Sequence, residues 1–522
     1  MASSITNSLQ NLPLAQTKSS GRSSAAQTRE REYFGVEDDE SHWYEPFSKC
    51  DKLRFLVDNF SGDDLHLSPE QDALRPLFET YKRLHVDVRK AHEARLTSEN
   101  LASTQSGARG MLPARRTCDS LVDAYIKTFK PVLRIIHVPS FLRDYEHFWE
   151  DPASTISSTD ETFACKLLLV AALGSITITP TESQQNQATS SREQSKNWIS
   201  YVKDRLARKS MKGMRGDLSM AQIACLLALT RHTHHQDSAP LGVAWLSEGH
   251  GLTHMAVQMG LHREPRVRSP NMSVKEAEMR RRLWATMLEL SCRSLSIKVF
   301  QLLLRRRAMI ECHTLESELN AACSAGESKL EPQLSDFQRS LLTSFTKPFV
   351  LALHDSFAEE ANTKPEYYYS RRMRMETSAQ LLSSTTDQGP YSALLTNGSG
   401  QFSAMQRQAT MSLCLDLIRD FEENSFPNLD SASRAQLRDV LSNAATTFKR
   451  RVETSKGSVS TEEFVLFSSA LSCIEILQQK EDSGKMAAKI NETVKTALNV
   501  CCDTMEKQRR RESLAESDIW MG

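Results

Sequence analysis

Apolar residues recur along this chain at intervals of three, four and seven positions, which is the spacing of one buried helical face. The clearest series is Trp245, Leu252, Met255, Ala256 and Met259. Runs in which apolar and polar residues alternate, the pattern of a half-buried strand, are nearly absent. The sequence therefore predicts an all-α protein, built as a multi-helix bundle.

The stretch 240–284 also carries the signals that end one helix and begin the next. Gly260 follows the last apolar position, where a residue in the left-handed conformation ends a helix, and Pro265 is expected to prevent that helix from resuming. Ser273 and Glu276 then have the spacing of a capping box. We predict two helices that are joined by a polar loop.

Three pieces of this stretch resemble a known family. They are AWLSEG at 244–249, MAVQMGLHREP at 255–265 and EMRRRLW at 278–284, in that order. Together they are similar to the signature of the fungal-specific transcription factor domain. That domain is the all-helical middle region of fungal zinc-cluster transcriptional regulators.

Residues 112–149 extend the resemblance towards the N-terminus. Tyr125 precedes His137, Pro139 and Phe141 in the order in which that domain opens. Pro139 is expected to set the turn before a helix. The N-terminal part of the domain therefore fits the resemblance as well.

After Trp284 the similarity weakens. Residues 289–296 keep the first part of the family's continuation, but the Gly-Pro loop that follows it in the family is missing here. Either this chain has a shortened loop, or the gene model is imperfect near residues 292–312. The resemblance is therefore assigned to residues 112–300, and it is best at 240–284.

We divide the chain into five predicted segments. Residues 1–30 form a disordered tail, because they are rich in Ser, Gln and Thr and nearly lack large apolar residues. Residues 31–111 form an aromatic arm, an amphipathic helix and a linker. Residues 112–300 form the fungal transcription factor domain, residues 301–502 a C-terminal helical continuation, and residues 503–522 a charged tail.

Two features of the second segment are expected to fix it to the core. The aromatic residues between 33 and 47 are predicted to pin the arm onto the core. Ser68 and Gln71 mark the start of a helix whose apolar seam is predicted to pack within the chain, with dimerisation as the alternative. The seam consists of Leu74, Leu77, Tyr81, Leu84 and Val88.

The C-terminal continuation shows helical spacing but no diagnostic motif. Helices are predicted at 337–345, 349–357, 404–421 and 464–477. Stretches rich in Ser, Thr and Gly at 377–401 and 454–460 are expected to interrupt them.

The eleven cysteines are scattered rather than paired. None of them has the spacing of a Cys-x-x-Cys pair, a pattern typical of free thiols in a reducing compartment. The spacing excludes a zinc cluster within this chain, because that tetrahedral site needs closely paired cysteines.

Composition limits the kinds of partner. Lysine and arginine together number 65, as do aspartate and glutamate, so the net charge is zero and any nucleic-acid contact needs a local basic patch. The N-terminus lacks the pattern of a signal peptide, and the longest apolar run, 167–179, is shorter than the roughly 20 residues that cross a bilayer. We therefore expect no membrane partner.

Two groups of histidines have a metal-site alternative. The first is His232, His234 and His235, and the second is His250, His254 and His262. No Cys-x-x-Cys or His-Glu-x-x-His accompanies the first group, and we predict that it lies in a solvated loop. In the second group, only two residues have the i,i+4 spacing of a helical metal pair, and the third is expected to pack at a helix end.

Three consecutive arginines at 280–282 invite a nucleic-acid interpretation. Because consecutive helical residues point to different sides, and Glu276 and Glu278 are neighbours, we predict pairing with carboxylates instead. Four further basic clusters are candidates for a nuclear-localisation signal: 305–307, 371–374, 449–451 and 507–511. The last of these is expected to be the most exposed.

No catalytic motif is visible, whether a Gly-x-Ser-x-Gly elbow, a phosphate-binding loop or a dinucleotide fingerprint. We predict no catalytic, cofactor-binding or metal-binding residues, no cofactor, and a protein that is not an enzyme.

The resemblance implies a transcription regulator of the nucleus, with the cytoplasm as a second location, that controls a fungal secondary-metabolite gene cluster. Without a zinc cluster it would act through DNA-binding transcription factors or its own dimer, contact DNA indirectly or weakly, and respond to a candidate small-molecule effector. Two alternatives stay open. One is a helical small-molecule-binding protein or metabolic enzyme, and the other is a zinc-cluster factor whose N-terminal exon is missing from the gene model.

Overall fold

The structure is a computed structural model, and most of the residues that it describes are helical. These are residues 43–62, 64–103, 107–150, 158–178, 185–208, 218–234, 250–269, 271–294, 335–361, 364, 367–383, 389–423, 430–454, 461–479 and 483–521. No strand occurs within these ranges, which confirms the all-α prediction. The predicted tail at 1–30 and the AWLSEG piece lie outside them.

The helices pack in two groups, the first formed by residues 115–294 and the second by residues 43–103 and 335–521. Short 3₁₀ turns lie at Glu45–Lys49, Asp72–Leu74 and Ala108–Met111. The first eleven α-helices are α1 (Arg54–Ser61), α2 (Arg75–Ser103), α3 (Arg115–Lys127), α4 (Phe129–Val132), α5 (Val138–Glu150), α6 (Ser158–Ser175), α7 (Gln185–Arg208), α8 (Leu218–Thr233), α9 (His250–Gln258), α10 (Pro265–Arg268) and α11 (Val274–Ser294). The others are α12 (Asp336–Glu360), α13 (Tyr368–Ser383), α14 (Pro390–Asn397), α15 (Gln401–Glu423), α16 (Ser431–Thr454), α17 (Thr461–Gln479) and α18 (Ser483–Met521).

Helices α6 and α8 form the centre of the first group. The residues from Leu167 to Leu173 in α6 are all fully buried, and nearly every side chain of α8 from Met220 onward is buried as well. A helix that is apolar on all sides must be covered on all sides. Accordingly, α3, α7 and α8 pack around α6, and α11 packs on α8.

Gly174 permits the close crossing of α3 and α6. A methyl group at this position would lie 2.0 Å from the carbonyl oxygen of Leu121. The added methyl carbon would be attached directly to the backbone, and the oxygen is part of it, so neither can rotate away. The two helices can therefore cross this closely only because residue 174 has no side chain.

Helices α15 and α17 form the centre of the second group. Helix α15 contacts α12, α13, α16 and α17, and the long helix α18 covers another side of α17. Phe467 of α17 stacks against Phe448 of α16, with ring centroids 4.8 Å apart, and contacts Phe47 at 6.0 Å. Residues from Tyr44 onward belong to one compact unit.

The N-terminal elements pack on this core as the sequence predicts. Tyr44 and Phe47 are buried, whereas Tyr33 and Phe34 lie outside the described residues. Ser68 donates its backbone N–H to the side chain of Gln71 at 3.1 Å, although the α-helix itself begins three positions after Asp72. Its seam packs along α18, so the intramolecular packing is present, with Phe78 buried in place of the partly exposed Leu77.

The caps between α9 and α11 match the sequence signals. Gly260 has a φ of 69°, and its N–H bonds to Val257 while that of Leu261 bonds to Ala256, a Schellman motif. The Ser273 hydroxyl accepts from the N–H of Glu276 at 3.1 Å and caps α11. The helix does not resume after Gly260, but Pro265 begins the separate one-turn helix α10, where its missing N–H costs nothing.

The predicted interruption at 377–401 is only partly correct. Helix α13 continues to Ser383, and α14 occupies Pro390–Asn397 within the same stretch. Ser383 bonds the carbonyl of Ala379 at 2.6 Å, so its hydroxyl is satisfied inside the helix. Of the predicted interruption at 454–460, Thr454 is the last residue of α16, and 455–460 lie outside the described residues.

We predict that Gly174→Ala lowers the free energy of unfolding by about 2 kcal/mol or more, because the added methyl group pushes α3 away from α6. The thermal midpoint should fall with it. Thermal melting followed by circular dichroism measures the change. Gly484→Ala is the matched control, since nothing lies within 4 Å of the methyl group it would add. Equal midpoints for the two variants would contradict the close crossing.

Candidate regulatory sites

The carboxyl end of α8 is buried and is not a solvated loop, so the prediction for the first histidine group is wrong. His232 and His234 are 3% and 7% exposed, and His235 lies outside the described residues. His234 donates its backbone N–H to Thr230 at 2.8 Å, and its Nδ1 lies 2.9 Å from the Thr233 hydroxyl. The polar residues after Leu229 continue the helix because tertiary contacts cover them.

The segment between α14 and α15 covers this end. Ser399 donates its N–H to the carbonyl of Thr233 at 2.9 Å. Gly400 has a φ of 64°, and a methyl group there would lie 2.5 Å from the carbonyl oxygen of Arg231. Asn397 accepts a bond from Arg192 at 2.7 Å. We call residues 397–400, together with the ends of the helices they contact, the joint, because it connects the two groups of helices.

Burial at the joint controls the protonation of His234. Burial, followed by the charge of Lys196, lowers its pKa from the ordinary value of 6.5 to about 4. The imidazole is therefore neutral in the folded protein at neutral pH. Among the described residues, no three His, Cys, Asp or Glu side chains come close enough to hold a metal ion.

The second histidine group is not gathered either. His254 is exposed, and its Nε2 lies 3.4 Å from the amide of Gln258. The ring of His262 contacts Trp284 of α11 with centroids 6.2 Å apart, which confirms the expected packing at the helix end. The side chain of His250 lies outside the described residues. Trp284 is half-buried rather than fully in the core.

The three arginines at 280–282 all pair with carboxylates, as predicted. The pairs are Arg280 with Glu276 at 3.2 Å, Arg281 with Glu264 at 3.1 Å and Arg282 with Glu278 at 2.8 Å. The bond from Arg282 is the main cause that lowers the pKa of Glu278. Glu264 precedes α10, so its pair with Arg281 holds α10 against α11, while the other two pairs lie within α11. Together they leave little free charge for phosphate groups.

A second site, which the sequence does not predict, is a layer of buried charges between α12, α13 and α15. Arg374 is 3% exposed, and its guanidinium lies 3.0 Å from Asp416 and 3.1 Å from Asp355. Arg371 contacts the same Asp416 at 3.4 Å. Asp355, Arg371, Arg374 and Asp416 form what we call the polar layer. Because two of the cluster 371–374 are buried here, that cluster is not an exposed localisation signal.

The polar layer has unused hydrogen-bonding capacity. Thr377 and Ser378 follow on the same face of α13 and are 1% and 0% exposed. Their hydroxyls have no hydrogen-bond partner among the residues that the structure describes. A polar stripe at helical spacing is present in the sequence, but such a stripe ordinarily marks the solvent side of a helix. The sequence pattern therefore predicts that these polar residues of α13 face solvent and not the core.

A third buried arginine contacts the carboxyl end of α14. Arg451 of α16 donates to the carbonyl of Leu395 and to the hydroxyl of Ser403, both at 3.0 Å, and lies 3.7 Å from Glu463. Burial lowers its pKa to about 10. Arg451 therefore ties the end of α14 to α15 and α17. In the cluster 449–451 it is the buried member, whereas Lys449 and Arg450 are exposed. Lys507 and Arg509 of the last basic cluster are exposed.

No helix in the described part of the chain has both the length and the apolar character that a bilayer crossing needs.

Comparison with known proteins places a family on the first group of helices. The model of the "Fungal specific transcription factor domain" matches residues 122–290, which run from α3 into α11. No solved structure is a significant match.

Several curated fungal proteins are similar over longer ranges. Transcription factor tenR of Beauveria bassiana is 28% identical over 89% of this chain and 70% of its own length. The aspyridones cluster regulator apdR of Emericella nidulans is 26% identical over 78% of this chain and 61% of its own. Transcription factor lepE of Aspergillus flavus is 28% identical over 66% of this chain and 46% of its own. The alignments thus leave a substantial part of each relative uncovered.

We predict that Asp416→Asn lowers the free energy of unfolding by about 3–5 kcal/mol, because it leaves Arg371 and Arg374 buried without their shared carboxylate. Chemical denaturation measures the change. Glu376→Gln removes the same charge from an exposed pair on α13 and should leave the midpoint unchanged. If the two variants behaved alike, the polar layer would not contribute to stability.

We predict that His234 makes the protein less stable as the pH falls from about 6.5 to about 4. In this range the unfolded chain binds a proton that the buried imidazole does not, so acidification favours unfolding, by roughly 3 kcal/mol in all. The measurement is the difference in unfolding free energy between wild type and His234→Gln at each pH. The variant should lose less stability on acidification, and parallel curves would exclude a buried neutral His234.

Proposed function

We propose that this chain, whose residues 122–290 form a fungal-specific transcription factor domain, regulates transcription of the genes of a secondary-metabolite biosynthetic cluster. The single observation that carries the proposal is the match of that domain to α3–α11. The similar proteins are fungal transcription factors, and one is named as a regulator of the aspyridones cluster. The same comparison supports a role in regulation rather than in catalysis.

The proposed mode of action is through partners that bind DNA. No Cys-x-x-Cys pair is present in the 522 residues, so this chain holds no zinc cluster with which to read DNA. The arginines at 280–282 are neutralised by Glu264, Glu276 and Glu278. A DNA-binding transcription factor, or a second copy that joins one, would supply the base contacts in this proposal.

The proposed place of action is the nucleus. The similar proteins are transcription factors, which act there. The exposed side chains of Lys507 and Arg509 are the strongest candidates for an import signal in the part of the chain that the structure describes. By comparison, buried Arg371, Arg374 and Arg451 are unsuited to recognition by a receptor.

The proposal predicts that deletion of the gene changes the transcript levels of neighbouring biosynthetic genes, which RNA sequencing measures across several growth conditions. Re-expression of the wild-type chain should restore them. Re-expression of Gly484→Ala should do the same, because that position is exposed and free of close contacts. Transcripts that stay unchanged on deletion in every condition would overturn the proposed function.

The genomic sequence upstream distinguishes the partner-dependent mode from a lost exon. Six closely spaced cysteines in frame would show that the zinc cluster belongs to the same protein. In that case the regulatory function stands, and the requirement for a separate DNA-binding partner falls.

A further inference from the structure

A second group of cations meets on the surface where α4, α5 and α11 approach one another. Its members are Lys130, His137, Arg143, Lys275 and Arg282, together with Ser140, whose hydroxyl three of them contact. We call these six residues the basic cluster. They come from α4, the turn after it, α5 and α11. Their positions span more than 150 residues of sequence, so no local pattern brings them together.

The Ser140 hydroxyl is the geometric centre of the basic cluster. Nδ1 of His137 lies 2.9 Å from the hydroxyl oxygen, and Nη2 of Arg143 donates to it at 3.3 Å. Lys275 donates to the same oxygen from α11. Three basic side chains from separate elements thus converge on one partly exposed, uncharged oxygen.

The positive charge of the basic cluster is largely uncompensated. Within the described part of the chain, Lys130, Arg143 and Lys275 form no ion pair with a carboxylate. Arg282 has Glu278 as a partner, but Arg281 shares that carboxylate. Glu146 on α5 pairs with Arg115 instead. Lys130, Arg143 and Lys275 therefore differ from the arginines at 280–282, Arg282 of the cluster included, each of which has an acidic partner.

His137 reports the same excess of positive charge. Its pKa is lowered by burial first, and then by the charges of Lys275, Arg282, Arg143 and Lys130. All four charges act in one direction, because cations nearby disfavour a protonated imidazole. The field at this surface is therefore positive, and it favours a negatively charged partner.

We propose that the basic cluster is a docking surface for an acidic segment of a partner protein, in which Asp or Glu side chains pair with Lys130, Arg143 and Lys275. The inference rests on the proposed function, because it names the chemistry of a partner through which the regulator acts. That function works through partner proteins, so the occupant is a protein segment. A DNA backbone would also satisfy the cations, and the test separates the two occupants.

Fluorescence anisotropy with the full chain tests the docking. The probe is a synthetic labelled peptide in which Asp and Glu alternate with Gly and Ser. We expect the triple variant Lys130→Ala, Arg143→Ala, Lys275→Ala to bind it about tenfold more weakly than wild type. An Asn/Gln version of the peptide should not bind.

The matched control removes three exposed cations elsewhere: Arg450→Ala, Lys485→Ala and Lys489→Ala. It should bind the peptide as wild type does, and both triple variants should keep the wild-type thermal midpoint. Equal affinity of the two triple variants, or no binding of the peptide to wild type, overturns the proposal. So does tighter binding of a DNA duplex that is lost in the first triple variant, since the surface would then hold nucleic acid.

Expression of the first triple variant in the deletion strain separates this proposal from the proposed function. If both hold, wild type restores the transcripts and the triple variant does not. If the docking proposal alone fails, both restore them. If wild type itself has no effect on transcripts, the proposed function fails, whatever the peptide result.

Discussion

The contact between Gly400 and the carboxyl end of α8 is the constraint on which the two groups of helices depend. Helix α8 is apolar on nearly every side and lies at the centre of the first group, and its last carbonyls must find donors where water is excluded. Ser399 supplies one N–H, and the positive φ of Gly400 lets the backbone approach closely. The matched domain and the C-terminal helices therefore share a buried boundary.

Arginine plays different parts in this molecule according to burial. At 280–282 the guanidinium groups pair with exposed carboxylates, and the pair of Arg281 with Glu264 joins α10 to α11. In the polar layer, Arg371 and Arg374 share the fully buried Asp416. Removing one partner there leaves a buried charge without its counter-charge. In the basic cluster, Arg143 meets a hydroxyl instead of a carboxylate. The last arrangement leaves charge available for a partner.

Local signals predicted the helices and several of their ends. Gly260 has the left-handed conformation that its position implied, and Ser273 caps α11 through a bond three residues away. The pairing of Arg280 with Glu276 was equally predictable, because the two are one helical turn apart. Each of these interactions is settled within a few residues. The family resemblance was visible for a similar reason, since its motifs are short and contiguous.

The sequence by itself determined the helical class, the caps, the resemblance of residues 122–290 to a known domain and the lack of paired cysteines for a zinc cluster. Only the tertiary structure decided which polar residues are buried. His234 follows an apolar helix and precedes polar residues, so it resembled a loop residue until the segment 397–400 covered it. The stripe of Arg371 and Arg374 resembled a solvent face until α15 supplied Asp416. Burial depends on contacts between residues far apart in the chain, and periodicity within one helix does not encode its neighbours.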